Sequence, residues 1–401
     1  MSTATAPTDS RTTPTNWFAV IFVMAGIFSI VTTEILPIGL LTPIGTSFRI
    51  SDGTAGLMMT IPGLLAAVAA PLVTVATARL DRRLMLCALT LLLALADFLA
   101  AAAPAYWVML VSRVLVGLVI GAFWSIGAGL AARLVPPAKV GTATSVIFAS
   151  VPLGSVLGVP AGTLIGTLAG WRVAFVVFGV LTVGVFVALV AVLPPLPAER
   201  VTSLAVLRGL LRGTGIRAGL AVTILVVAAH FGTYTYVTPF LREVTHADPG
   251  TITAFLLAYG GAGIVGNFVA GATVTRGLRR TFAVSAGLLA AATLLLPVVG
   301  GGEVGALGLL IMWGLAYGAV PVCSQTWFAH AAPGATEAAS VLFTSSFQAT
   351  LSVGALLGGV VVDATSPSTV LTLGGSVAVL AVLTMCLFGP APGTARRSFG
   401  R

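Results

Sequence analysis

The sequence predicts an all-α membrane protein, with twelve transmembrane helices in two six-helix repeats around a central cavity. Three observations support this prediction: an apolar composition, long apolar runs and an internal repeat. Of the 401 residues, 58% are apolar and only 8% are charged. Soluble domains carry roughly 25% charged residues. Water is therefore not the main solvent of this chain.

The apolar runs are the elements of the predicted fold. A chain that crosses lipid must satisfy its backbone groups internally, as a helix or as a closed barrel. Barrel strands alternate over about ten residues, whereas these runs have no period of two and are long enough to cross a bilayer of about 30 Å as helices. The twelve runs are residues 17–41, 54–78, 84–103, 107–132, 141–169, 171–193, 218–241, 251–274, 281–299, 304–329, 337–362 and 368–388.

The longest interior interruption divides the chain. It reads "PPLPAERVTSLAVLRGLLRGTGIR" and begins with two prolines. The predicted organisation follows in order along the chain: a disordered tail at 1–16, an N-terminal half at 17–193, a cytoplasmic linker at 194–217, a C-terminal half at 218–388 and a cytoplasmic tail at 389–401.

The basic residues predict the orientation. Sixteen of the twenty Lys and Arg residues fall in the tails and in the loops on one side, three fall in the opposite loops, and Arg113 lies inside a run. Cytoplasmic loops carry such an excess. We therefore expect a multi-pass protein of the plasma (inner) membrane with both termini in the cytoplasm. This distribution accounts for the net charge of +9 without a nucleic-acid partner.

The two halves contain matching segments. Residues 144–150 read "TSVIFAS" and residues 339–345 read "ASVLFTS", an offset of 195. A second pair, "TARLDRRLML" and "GATVTRGLRRTF", precedes the third and ninth runs. Transporters that are built from repeats place the substrate between the halves near the midplane.

Five segments carry a family resemblance: "TTEILPIGLL", "ARLDRR", "SRVLVGLVIGA", "GVPAGTLIGTLAGWRVAF" and "AHFGTYTYVTPFL". They resemble motifs of the major facilitator superfamily, and more narrowly those of bacterial twelve-span drug/proton antiporters of the arabinose-efflux and chloramphenicol-resistance branch. The resemblance covers nearly the whole chain. It implies a proton-coupled exporter of small amphipathic molecules or drugs, without enzyme activity or a cofactor, with substrate, protons and lipid as partners, and monomeric.

The loop after the second run carries the motif that the family uses as a gating latch. The resemblance assigns this role to Asp81, Arg82 and Arg83. The family's usual glycine is replaced by Thr77, and the usual acid of the second-half copy is replaced by Thr275. We therefore expect an asymmetric latch that rests on Asp81.

Polar residues inside the apolar runs are the candidates for proton coupling, because ionisable groups in lipid are costly and usually functional. At a rise of 1.5 Å per residue, Glu34, Arg113 and Asp97 fall at a similar depth in the outer half of the bilayer. A contact between Glu34 and Arg113, or a competition for Arg113, is expected, whereas Asp97 is expected to cap or pair locally. His230, near the midplane, is the fourth candidate.

Aromatic and carboxamide side chains are the candidates for the cavity wall and for substrate contact. Each carboxamide has the alternative role of a bridge between helices. The substrate-binding candidates are Tyr234, Tyr236, Phe240, Asn267, Trp313, Tyr317, Gln325 and Gln348.

Glycines recur every fourth residue in the fourth and fifth runs, which predicts one smooth face on each helix. Small residues allow helices in a membrane to approach closely. The packing glycines are Gly117, Gly121, Gly154, Gly158, Gly162 and Gly166.

Two other functions remain as alternatives to a drug exporter: a sugar or nucleoside exporter of the same fold, and a non-transporting membrane sensor. The sequence contains no nucleotide-binding loop, and its three histidines belong to different segments. We therefore expect neither ATP hydrolysis nor a metal site.

Overall fold

The computed structural model describes residues 16–76, 80–127, 130–136, 139–197, 208–333 and 335–388. Within these ranges the regular structure is entirely α-helical. The predicted tails at 1–16 and 389–401, apart from Asn16, lie outside the described residues, as does 198–207 of the predicted linker.

Fourteen helices follow one another along the described chain. They are α1 (Trp17–Phe48), α2 (Asp52–Ala55), α3 (Leu57–Ala76), α4 (Arg82–Ala101), α5 (Tyr106–Gly127), α6 (Leu130–Leu134), α7 (Val140–Ala169), α8 (Trp171–Val192), α9 (Thr214–Tyr234), α10 (Val237–Glu243), α11 (Pro249–Val299), α12 (Glu303–Ala331), α13 (Thr336–Ala364) and α14 (Pro367–Phe388).

Polar residues begin several of these helices by accepting hydrogen bonds from the first free backbone N–H groups, as N-caps do. Asn16 accepts from the N–H of Ala19 at 3.0 Å, and Asp248 accepts from the N–H of Gly250 at 2.8 Å. Helix α1 ends at Phe48, and the next residue, Arg49, has a left-handed φ of 56°. The helix ends are therefore specified locally.

Eleven helices of the described chain are long and apolar enough to cross a membrane. The twelve runs predicted from the sequence are all represented, because the 51-residue α11 contains both the eighth and the ninth. A non-helical Gly277, with φ −178° and ψ 77°, interrupts α11 between them. The expected break between these two runs is therefore a kink rather than a loop.

The seventh predicted run is divided into two helices. Helix α9 ends at Tyr234, and α10 begins after Tyr236, whose φ of −109° and ψ of 18° depart from helical values. This break lies beside a hydrogen bond between the hydroxyl of Thr238 and the carbonyl of Ile38 in α1, at 3.2 Å.

The helices before and after the linker meet along a limited set of contacts. The principal pairs are α3 with α13 and α7 with α11, and α1 also touches α10. We call the end of the bundle that carries Arg49, Ser51 and Asp363 the outer end, because the arginine distribution predicts that it faces away from the cytoplasm. The opposite end is the inner end.

Candidate functional site

Glu34 lies at the contact between the two halves of the chain. Its side chain is only 8% exposed. The amide nitrogen Nε2 of Gln348 in α13 donates a hydrogen bond to Glu34 Oε1 at 2.8 Å. A buried carboxylate without such a donor would be strongly destabilising. A buried acid of one half is therefore hydrogen-bonded to a neutral amide of the other.

Arg113 is fully buried but does not bond to Glu34, so the expected contact between them was wrong. Its Nη1 donates to the backbone carbonyl of Thr33 at 3.0 Å, and its Nη2 donates to the hydroxyl of Ser112 at 3.2 Å. Its guanidinium also lies 5.2 Å from the ring centre of Phe175. The arginine therefore holds the residue beside Glu34.

Asp97 completes a second polar group on the same side of α1. It is fully buried and accepts a hydrogen bond from the Thr33 hydroxyl at 3.1 Å. It is also the acid whose charge acts on Arg113. Among the described residues, Asp97 Oδ1 and Arg113 Nε have no hydrogen-bond partner. Thr33 is thus fixed through both its backbone and its side chain.

Five rings form an aromatic cluster in the C-terminal half: His230, Tyr234, Tyr259, Trp313 and Tyr317. His230 stacks on Tyr317 with ring centres 3.3 Å apart, and Tyr234 stacks on Tyr259 at 4.5 Å. Trp313 lies nearly perpendicular to these rings and donates from Nε1 to His230 Nδ1 at 3.1 Å. The cluster therefore presents several flat rings in nearly parallel planes.

Two phenylalanines extend the aromatic cluster towards the contact between the halves. Phe231 packs edge-on against Tyr317 at 5.8 Å and against Phe347 at 6.0 Å. Phe347 immediately precedes Gln348 in α13, and Tyr317 lies near enough to Glu34 for the charge of Glu34 to act on its phenol group. The hydrogen bond from Gln348 to Glu34 and the aromatic cluster are therefore adjacent parts of one candidate site.

The other predicted substrate residues lie elsewhere. Tyr236 is almost fully buried at the outer end, where its hydroxyl donates to the carbonyl of Ala355 at 2.8 Å. Phe240 is fully buried in the apolar core. Asn267 is half-buried and Gln325 is exposed. The structure does not bring these four residues together.

The predicted packing glycines face neighbouring helices at close range. A Cβ atom at Gly117 would lie 2.5 Å from the carbonyl oxygen of Pro62 in α3, and one at Gly158 would lie 3.2 Å from the Cα of Thr32 in α1. The remaining four glycines make similar approaches, Gly121 to α3 and Gly154, Gly162 and Gly166 to α1.

The predicted gating loop joins α4 to the segment after α8. Asp81 accepts hydrogen bonds from the N–H of Arg83 at 2.7 Å and from the N–H of Leu196 at 3.1 Å. The N–H of Arg82 in turn donates to the carbonyl of Leu196 at 2.8 Å. Asp81 is therefore both the N-cap of α4 and a tie to the linker.

Several residues of the site were not found from the sequence: Thr33, Ser112, Phe231, Tyr259 and Phe347. Thr33 and Ser112 adjoin Glu34 and Arg113 in the chain, and that adjacency was the available signal. The aromatic residues lie on three different helices, so only the fold brings them together.

The geometry agrees with a comparison of the whole sequence with protein families. The family model described as Major Facilitator Superfamily matches residues 17–346. The chain belongs to the Major Facilitator Superfamily. The resemblance inferred from the motifs is therefore confirmed, and the chain belongs to a class of transporters rather than of enzymes.

Curated relatives in this superfamily include efflux pumps. The chain is 31% identical over 375 residues to the purine ribonucleoside efflux pump NepI of Escherichia coli strain K12, with 94% of each chain covered. The same identity and coverage hold for the purine ribonucleoside efflux pump NepI of Shigella flexneri. The prediction of an exporter is thereby confirmed.

Solved structures with the same fold include a bacterial homologue of the human lysosomal transporter Spinster. In its inward-facing, unoccupied conformation it matches with a TM-score of 0.68 at 13% identity, and in its inward-facing, occupied conformation with 0.69 at 15%. Each match covers 92% of this chain and 94% of the other. This likeness supports the all-helical transporter fold.

Proposed function

We propose that this member of the superfamily is a proton-coupled exporter that exchanges protons for small amphipathic molecules. We further propose that it acts as a monomer in the inner membrane, with both termini in the cytoplasm. The observation that carries the proposal is the buried hydrogen bond from Gln348 to Glu34, which places one ionisable group at the contact between halves that must move apart.

Glu34 is the proposed proton carrier. As a carboxylate it accepts the hydrogen bond from the Gln348 amide. A proton on Glu34 removes the charge that makes this bond strong. Protonation and the contact between the halves are thereby linked. The membrane potential drives the exchange, since one charge that crosses 100 mV supplies about 2.3 kcal/mol.

Arg113 and Asp97 support this role by fixing Thr33, the residue next to Glu34. His230 ranks behind Glu34 as a carrier. Its Nδ1 accepts the hydrogen bond from Trp313, and a doubly protonated imidazole has no acceptor left. Proton uptake at His230 would therefore break its hydrogen bond with Trp313 in the aromatic cluster.

A purine nucleoside is the second candidate substrate. Two observations favour it: the nearly parallel rings of the aromatic cluster, which match the flat faces of a base, and the purine ribonucleoside efflux named for the relatives. The neighbouring Gln348 and Glu34 supply a donor and an acceptor suited to the polar edge of a base.

Everted membrane vesicles with an acidic lumen test the proposed function. We expect labelled substrate to accumulate in the lumen, and we expect a protonophore to abolish the accumulation. Adenosine and guanosine are compared in parallel with a panel of amphipathic drugs. Accumulation that a protonophore leaves intact would refute proton coupling, and accumulation of drugs without nucleosides would refute the second candidate.

A further inference from the structure

Asp363 at the outer end of α13 bonds to the other half of the chain. The hydroxyl of Ser51 donates to Asp363 Oδ2 at 2.5 Å, and the backbone N–H of Gly53 donates to Asp363 Oδ1 at 2.8 Å. Both donors belong to the short segment between α1 and α3. One carboxylate therefore connects the two halves through both of its oxygens.

The segment that Asp363 binds is fixed within its own half. The hydroxyl of Ser51 also accepts a hydrogen bond from the N–H of Thr54 at 3.1 Å. The carbonyl of Thr54 accepts from the hydroxyl of Tyr106 in α5 at 2.6 Å. The N-terminal half thus holds both donors to Asp363 in place.

Below Asp363 the two halves meet along a seam of close backbone approaches. A Cβ atom at Gly359 in α13 would lie 2.6 Å from the hydroxyl oxygen of Tyr236 and 3.1 Å from the carbonyl oxygen of Gly53. A Cβ atom at Gly63 in α3 would collide with the hydroxyl of Ser352. The α13 helix therefore lies close to the N-terminal half at both points.

We propose that Asp363 is a latch that holds the outer end of the transporter closed. Alternating access requires the halves to separate at this end, and the two bonds of Asp363 must break when they do. Hydrogen bonds to an ionised group are stronger than neutral ones. The latch therefore favours the state in which the site opens only towards the inner end, whatever the substrate and the coupling ion are.

Thiol labelling in intact cells tests the latch. The reporter is Ser352→Cys, because Ser352 is fully buried in the seam, in a variant with Cys87, Cys323 and Cys386 replaced by serine. We expect Asp363→Ala to raise the rate of labelling by an external, membrane-impermeant maleimide about tenfold, because it removes both charged hydrogen bonds of this exposed carboxylate. Ser51→Ala, which keeps the Gly53 bond, should give a smaller rise.

Asp248→Ala is the matched control. Asp248 is an exposed acid predicted to lie at the same end, and its side chain hydrogen-bonds to the first residues of its own helix, Gly250 and Thr251. It should leave the labelling rate unchanged. A rate for Asp363→Ala equal to that of the parent or of the control would overturn the proposal.

Cross-linking provides a second test, which measures the proximity of positions 51 and 363 and the need for them to separate. Cysteines that replace Ser51 and Asp363 in the same cysteine-free background should react with a short bifunctional thiol reagent. Cross-linked protein should lose the transport that the same double-cysteine protein shows before treatment, whereas the cysteine-free parent treated alike should retain its transport. Failure to cross-link, or transport by the cross-linked protein at the untreated rate, would overturn the latch.

Discussion

Thr33 and Glu34 are neighbours in the chain but serve opposite sides of α1. Successive residues of a helix point about 100° apart. Thr33 faces Asp97 and Arg113 in the N-terminal half, whereas Glu34 faces Gln348 in the C-terminal half. The rise per residue predicted that Glu34 and Arg113 lie at the same depth in the membrane. Depth does not determine towards which neighbouring helix a side chain points. The candidate residues were therefore found from the sequence, and their partners were not.

Glu34→Gln should remove uphill export and leave the protein folded and inserted. A glutamine at this position cannot carry a proton, yet its amide still hydrogen-bonds to Gln348. Export into everted vesicles under a pH gradient should fall to the level of vesicles without the protein, whereas substrate exchange at zero gradient should persist. Glu303→Gln, the same change at an exposed acid, is the control. Uphill export at the parental rate would move the coupling role to Asp97 or His230.

Glycine spacing determines how closely the helices pack. The four-residue repeats predicted from the sequence do lie on close faces, with α7 against α1 and α5 against α3. What the repeats do not encode is which helix lies opposite, because spacing describes one surface only. The kink of α11 at Gly277 was likewise predicted only as a boundary, since a glycine among loop-like residues marks a break without specifying whether the helix continues.

Gly117→Ala should destabilise the packing of α5 on α3. The added methyl would meet the backbone of Pro62, with 2.5 Å to its carbonyl oxygen, and backbone cannot move aside as a side chain can. Overpacking of this kind costs about 1–3 kcal/mol. The measurement is the thermal inactivation midpoint of the purified protein in detergent, which should fall by several degrees.

Gly184→Ala is the matched control for this change. Gly184 lies in α8, and a Cβ atom there would have no neighbour within 4 Å. Its midpoint should equal that of the parent. An equal fall in both variants would show that helix propensity or expression, rather than close approach, governs the effect.

The predicted orientation of the whole molecule rests on the arginines alone. A reporter fused after Arg212 should be cytoplasmic, and one inserted at Gly301 should be external, because the basic loops alternate with loops that are poor in cations. Paired phosphatase and fluorescent-protein fusions at both sites measure this directly. An external signal at Arg212 would reverse the orientation and exchange the inner and outer ends.

Asp363 and Asp81 are hydrogen-bonded acids at opposite ends of the molecule. Asp363 bonds across the halves at the outer end, whereas Asp81 bonds to the N–H of Leu196 in the linker at the inner end. The outer contact could not be predicted from the sequence, because residues 51 and 363 share no motif and meet only through the fold. The inner loop was found because it resembles a family motif.

Asp81→Asn isolates the charge of the inner loop from its role as a helix cap. Asparagine and aspartate are about equally good N-caps, so the bond to the N–H of Arg83 should survive and expression should change little. Loss of the negative charge should weaken the tie to Leu196, shift the resting population towards the inward-open state and slow turnover. Cysteine accessibility from the inner side should rise in the variant.

Asp81→Ala is the comparison, because it removes the helix cap as well as the charge. It should also lower the thermal midpoint, by a change that corresponds to about 1 kcal/mol. If the accessibility of Asp81→Asn equals that of the parent, the loop orients the protein in the membrane and has no part in gating.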